Sequence, residues 1–265
     1  MSLNNRVAFI TGTSGGIGRE IALSLAKAKV KLVLFGGTNE QKLKETEQIL
    51  SKYDCVLGTF KCDLTNDKEL TEQFNKAIKK VGKIDILINN AGKAFNADFE
   101  KTPIETLDNI MNVNFRAPYL LTQLALPYIK KSDRASIINI LSIVAHNGYP
   151  GQSAYVASKH AMLGFTKSLA SEVYNDGIRV HAISPGGVFT DMIKIARPDL
   201  TSDGMIMPKD IADIVMFLLK NRGNAVIDEI IVHRVNKQPF LAWRYYFIWF
   251  FEIKLKFFAQ KFSRD

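Results

Sequence analysis

Short runs of apolar residues recur along the chain, separated by stretches whose apolar positions fall every three to four residues. The runs at residues 7–10, 31–35, 56–61, 84–88, 136–141 and 179–183 predict strands, with a seventh over 226–233. Uninterrupted apolar runs, rather than strict alternation, are what a parallel strand covered on both faces requires. Helical periodicity predicts helices over 17–28, 40–51, 67–81, 103–129, 152–175 and 208–219. Strands that alternate with helices imply repeated right-handed crossovers. The expected class is therefore α/β, a doubly wound, mostly parallel sheet flanked by helices. No linker, repeat or low-complexity segment divides residues 1–238, which read as one domain; residues 239–265 differ in kind.

Composition narrows the picture. The 265 residues are 47% hydrophobic and 23% charged, so one sizeable core is expected and a disordered chain is not. The net charge of +9 comes from lysines scattered over helices such as 42–52 and 76–83. No base-reading motif accompanies them, so they read as solvated helix faces and no nucleic-acid partner is expected. Cys55 and Cys62 bracket one strand; seven residues at about 3.3 Å each hold them too far apart to bond. They are expected to be reduced and buried. The four histidines show no paired spacing, so no metal is expected. No apolar signal region precedes the first strand, which points to a cytoplasmic enzyme.

The first strand runs into Thr11-Gly12-Thr13-Ser14-Gly15-Gly16-Ile17-Gly18, where a helix begins. Glycines allow a sharp turn and close approach to a pyrophosphate, and the helix N-terminus offers free N–H groups to the phosphates. The same residues satisfy G-x-S-x-G, which would make Ser14 the nucleophile of a serine hydrolase. That elbow normally follows several strands, and it leaves the later motifs unexplained. A second chemistry lies at Tyr155 and Lys159, four apart and so on one helix face. A lysine ammonium beside a tyrosine favours the phenolate and lowers the phenol's pKa. Such a tyrosine can protonate a carbonyl oxygen as hydride arrives. Ser142 follows the strand at 136–141, at the sheet end where functional side chains collect.

Together these residues resemble the short-chain dehydrogenase/reductase family in its single-domain Rossmann branch, over residues 5–236. The resemblance implies the following roles. Gly12, Ser14, Gly16, Ile17 and Gly18 form the cofactor turn, and Asp63 and Leu64 meet the adenine. Asn90, Ala91 and Gly92, in Asn89-Asn90-Ala91-Gly92, line the cofactor. Ser142, Tyr155 and Lys159 match the catalytic triad; Lys159 also binds the nicotinamide ribose. Asn114 resembles the catalytic asparagine that holds a water in a proton relay. Pro185, Gly186, Val188 and Thr190 resemble the loop that holds the nicotinamide carboxamide. The resemblance also implies a homo-oligomer, a dimer or tetramer. The substrate class is a small-molecule carbonyl or alcohol. A cofactor-binding scaffold without turnover is the alternative from outside enzyme chemistry.

Four places need separate reading. The end of strand two reads Phe35-Gly36-Gly37-Thr38-Asn39, with neither a carboxylate for NAD ribose nor a basic residue for the NADP phosphate. With no acid to repel a phosphate, and Thr38 and Asn39 able to bond it near Arg19 or Lys42, NADP(H) is favoured and NAD(H) stays open. Glu40 more naturally opens the next helix. The last strand reads Ile227-Asp228-Glu229-Ile230-Ile231-Val232-His233-Arg234, where the family's often ends in a glycine-rich turn after an acidic residue. Between Thr190 and Pro208, Met192, Ile193, Ile195, Ala196, Met205, Ile206 and Met207 suggest an apolar lid over a hydrophobic substrate, or simple packing. Residues 240–262 carry both tryptophans and, read as a helix, one apolar stripe. They are too short an apolar run to span a bilayer and suit a membrane surface or a protein partner.

Overall fold

The computed structural model describes residues 2–196 and 201–237. Residues up to Arg234 form one compact unit. The described residues form seven strands: β1 Val7–Thr11, β2 Lys31–Gly36, β3 Val56–Lys61, β4 Ile86–Asn89, β5 Ser136–Ile140, β6 Arg179–Pro185 and β7 Glu229–Val232. All pair in parallel, in the order β3-β2-β1-β4-β5-β6-β7. Helices α1 Gly16–Lys27, α2 Glu40–Leu50, α3 Asp67–Val81, α4 Ile104–Met111, α5 Ala117–Ile129, α6 Ser153–Glu172, α7 Asp191–Ala196 and α8 Pro208–Lys220 complete the fold. The strand order reverses between β1 and β4, and a ligand crevice forms at such a switch point.

Strand alternation sends successive residues to opposite faces. Ala8, Ile10, Leu32, Leu34, Ile86, Ile88, Ile138 and Ile140 pack against α1 and α8 through Ile21, Leu25, Ile211 and Val215. Val7, Phe9, Val33, Phe35, Leu87 and Ile137 pack against α3 and α5 through Leu70, Phe74, Leu121 and Ile129. Both faces are covered, which explains the unbroken apolar strand runs. Asn39 caps α2 by accepting the Lys42 N–H at 3.0 Å, and Asn66 caps α3 by accepting from Lys68 and Glu69. Cys55 and Cys62 are buried and free.

Two expectations need correction. The helix expected over 103–129 is broken by a wide π-helical turn at Asn112–Arg116 between α4 and α5. Pro118 follows it, and proline has neither an N–H for the carbonyl four residues back nor room for it in a regular turn. That carbonyl belongs to Asn114. The last strand is also shorter than 226–233: β7 is a sheet edge, and only Glu229–Val232 lies opposite Ala182–Pro185 of β6. The tail expectation, residues 240–262, lies outside the described residues.

Candidate active site

The glycine turn sits at the C-terminal end of β1. Gly12 has φ +72, and a Cβ on it would come within 2.8 Å of Ala91 Cα; one on Gly18 would come within 2.2 Å of the Gly12 carbonyl oxygen. Both glycines let α1 close onto the β1–β4 junction. Gly15 and Gly37, by contrast, face open space. No side chain caps α1 and its first turn holds no acid, so its leading N–H groups are unopposed. An open glycine cradle before an uncapped, positive helix end fits a dinucleotide pyrophosphate. Thr190 overhangs the turn: a Cβ on Gly16 would lie 3.1 Å from its methyl group.

Asn90 closes the floor. Its amide donates to the Thr11 and Gly12 carbonyls at 3.0 and 3.2 Å, while the Thr11 hydroxyl accepts the N–H groups of Asn90 and Ala91. Asn89 donates to Asn139 at 2.8 Å, and Asn139 to Thr166 at 2.9 Å, a polar chain across the buried sheet. Asp63 accepts the backbone N–H and hydroxyl of Thr65, bonds that hold its carboxyl below the usual range. Leu64, beside it, is half-buried.

At the end of β2 a side chain on Gly36 would strike Leu43 and the Ser14 hydroxyl. No carboxylate can sit there. Asn39 is spent on its cap, and Thr38 is exposed. Arg19 is also spent: it donates to Thr46 at 2.9 Å, to the Ser14 carbonyl at 2.9 Å and to the Lys42 carbonyl at 3.1 Å, and pairs with Glu45. Lys42 pairs with Asp191 of α7 at 2.7 Å, with both side chains largely in solvent. Glu40 opens α2, as expected, and pairs with Lys44. The Ser14 hydroxyl accepts the Gly37 N–H at 3.3 Å. Among the described residues no histidine bonds it: His146 is paired with Glu229, and His160 and His181 bond backbone carbonyls. The hydrolase reading has no support.

Ser142, just past β5, faces α6, which carries Tyr155 and Lys159 on one side. The Ser142 hydroxyl faces the Tyr155 phenol and acts to lower its pKa. The Lys159 ammonium donates to the Ile140 carbonyl at 3.1 Å and lies 5.7 Å from the Tyr155 ring centroid. Burial pushes the tyrosine pKa up, against the Ser142 hydroxyl, and pulls Lys159 down to about 8. This corrects the expected direction for Tyr155: the buried phenolate is penalised more than its surroundings relieve, because Lys159 bonds backbone rather than phenol. Asn114 is 2% exposed. Its side chain accepts the Lys93 N–H at 2.7 Å and donates to the Lys93 carbonyl at 2.9 Å and to Ser158 at 3.0 Å. Ser158 in turn donates to the Tyr155 carbonyl at 2.7 Å. The side-chain amide is thus occupied, while Pro118 leaves the Asn114 backbone carbonyl without its helical donor. Gly92 lies between the two groups, its Cβ position 3.5 Å from Asn114 Oδ1 and 3.7 Å from Lys159 Nζ.

Pro185 ends β6, and the Gly186 N–H donates to the Val232 carbonyl at 2.8 Å. Val188 pairs with Ile206, and both are buried. Of the expected lid, Met205 and Ile206 pack into the domain whereas Met192 and Met207 stay exposed. Residues 197–200 and the side chains of 195–196 lie outside the described residues.

Residues 6–201 match the family model for short chain dehydrogenases. The 3-oxoacyl-(acyl-carrier-protein) reductase FabG of Thermotoga maritima is 31% identical over 245 residues, 87% of this chain and 97% of its own. The D-beta-hydroxybutyrate dehydrogenase of Rhizobium meliloti is 34% identical over 212 residues, 80% of this chain and 82% of its own. Among solved structures, a metagenomic short-chain oxidoreductase in complex with NADP superposes with a TM-score of 0.77 at 28% identity, over 89% of this chain and 100% of that one. The chain belongs to the short-chain dehydrogenase family and is an NAD(P)-dependent oxidoreductase.

Proposed function

We propose that the protein moves a hydride between NADP(H) and a carbonyl or alcohol carbon, with Tyr155 as the proton donor to the carbonyl oxygen. One observation carries this reading: the Tyr155 phenol stands beside Ser142 and one helical turn from the buried Lys159 ammonium, which lies 5.7 Å from its ring centroid. Ser142 holds the substrate oxygen beside the phenol. Lys159 supports charge on Tyr155 and binds the nicotinamide ribose. Asn114 holds a water through its backbone carbonyl, because its side chain is fully occupied. Gly12, Gly16, Gly18 and the α1 N-terminus cradle the pyrophosphate. Asp63 and Leu64 meet the adenine, Asn90 to Gly92 line the floor, and Pro185 to Thr190 hold the carboxamide. When bound, the nicotinamide supplies or accepts the hydride.

The preference for NADP(H) rests on Gly36 and Gly37, which offer no carboxylate, and on Lys42, whose solvent-exposed pair with Asp191 can yield to a phosphate beside Thr38. An apolar substrate body is supported by Met192 and Met207, exposed beside the loop that ends at Thr190. A homo-oligomer is supported by Phe99, Ile104 and Tyr119, large apolar side chains exposed on or near α4 and α5. Among the described residues no helix is long and apolar enough to cross a membrane. We place the protein in the cytoplasm, with residues 240–262 as a surface that contacts a membrane or a partner. The test is a fluorescence titration with NADPH and NADH. Tighter binding of NADPH is expected, and Lys42→Glu should reverse the preference. Folded protein that binds neither would contradict the reading.

A further inference from the structure

Arg234 stands where the chain leaves β7. The residue is half-buried, and its one hydrogen-bond partner among the described residues is the Met205 thioether sulfur, at 3.0 Å. A thioether is a weak acceptor and carries no counter-charge. The carboxylate on the same strand, Glu229, is taken by His146 at 2.7 Å and Ser184 at 2.6 Å. Among the described residues the half-buried arginine is therefore a cation without an anion beside it, an arrangement that favours an anionic ligand.

Its position gives the cost a purpose. Arg234 Cδ and Nε lie 3.8 Å from the Cβ position of Gly187. Gly186, the preceding residue, is within 3.7 Å of Ile143 and Ile206 at its own Cβ position, and Ile143 adjoins Ser142. The Arg234 side chain thus lies beside the loop after β6 with Met205, and the neighbouring Gly186 of that loop adjoins Ile206 and Ile143, the residue next to Ser142. The cofactor cradle, at Gly15 and Gly16, is built on another strand and has its own helix N-terminus for phosphates.

We propose that Arg234 binds the carboxylate of the substrate, so that the protein acts on oxo acids, or the matching hydroxy acids, that carry an apolar chain. The planar guanidinium fork suits a carboxylate, and apolar Met205 and Ile206 suit the chain. This proposal rests on the oxidoreductase reading above. The test uses straight-chain 3-oxo acids of four to ten carbons and their methyl esters, with NADPH, in wild type, Arg234→Met and Arg234→Lys. In wild type kcat/KM is expected to favour at least one acid over its ester. Arg234→Met should lower that acid-to-ester ratio about ten- to hundred-fold, chiefly through KM, and Arg234→Lys should restore part of it. A wild type that prefers no acid to its ester, an Arg234→Met variant with the ratio unchanged, or one whose main defect is weaker NADPH binding would each overturn the proposal alone. Wild type that binds no nicotinamide dinucleotide would overturn the oxidoreductase reading and this proposal with it.

Discussion

In the proposed reaction Tyr155 stays protonated until hydride arrives, and its surroundings act in that direction. Burial holds the phenol above its ordinary pKa and Ser142 draws it back. Lys159, lowered to about 8 by burial, is the group that titrates near neutrality. Below that pH it is an ammonium and supports charge on the phenol; above it the support is lost. Carbonyl reduction should therefore fall as pH rises through about 8, seen as a downward bend in kcat/KM between pH 7 and 9; a flat profile would contradict the role of Lys159. Asn114 gives a second prediction at this scale. Asn114→Ala strands the backbone N–H and carbonyl of Lys93, both bonded at 2.7–2.9 Å. It should cost about 2–3 kcal/mol in urea unfolding and lower kcat as well. An unchanged stability would mean that the amide is dispensable.

Among the elements, the β1–α1 junction is the least tolerant of change. Gly18→Ala would place a methyl 2.2 Å from the Gly12 carbonyl oxygen and 2.5 Å from the Asn90 amide nitrogen. Backbone must shift, at a cost of about 1–3 kcal/mol, and the cradle shifts with it. NADPH affinity should fall at least about ten-fold together with Tm; normal affinity would show that the spacing of α1 and β1 does not shape the site. The strands were legible because each apolar run has one reading in a sheet covered on both faces. The Tyr155–Lys159 face was legible from spacing alone. The turn at Asn112–Arg116 was not, because Phe115, Leu121 and their neighbours keep a helical period through it. Pro118 was the available signal: it denies the Asn114 carbonyl its regular donor four residues on. Nor does residue type show that Arg19 is spent on Thr46 and two carbonyls; the closure of α1 onto α2 decides that.

Over the whole molecule, chemistry and support occupy opposite ends of one sheet. The site gathers at the C-terminal strand ends, whereas Arg6, Asp85, Ser132 and Asp133 tie the N-terminal ends together. Asp85 accepts from Val7 N–H at 2.8 Å, Ser132 at 2.6 Å and Arg6 at 3.1 Å, and Arg6 also bonds Asp133 at 3.0 Å. Burial opposes ionisation of Asp85, but Ser132, Val7 and Arg6 outweigh it and hold its carboxyl low; Arg6 holds Asp133 at about 2. Because both pKa values are depressed, the stability they add is present above about pH 4, the unfolded carboxylate value, and is lost as pH falls below it, for Asp133 through about 2. Arg6→Met should cost about 2 kcal/mol at pH 7, with the deficit shrinking between pH 4 and 2. A deficit that does not change with pH would assign Arg6 a packing role only.

The central claim is that Tyr155 protonates the substrate oxygen in a nicotinamide-dependent reduction. The most direct measurement is NADPH oxidation over a panel of carbonyl compounds by wild type and Tyr155→Phe, with NADPH binding to both followed by fluorescence. The account predicts wild-type turnover, and a variant that folds and binds NADPH normally yet loses at least about a thousand-fold in kcat. A variant that keeps its turnover would contradict it.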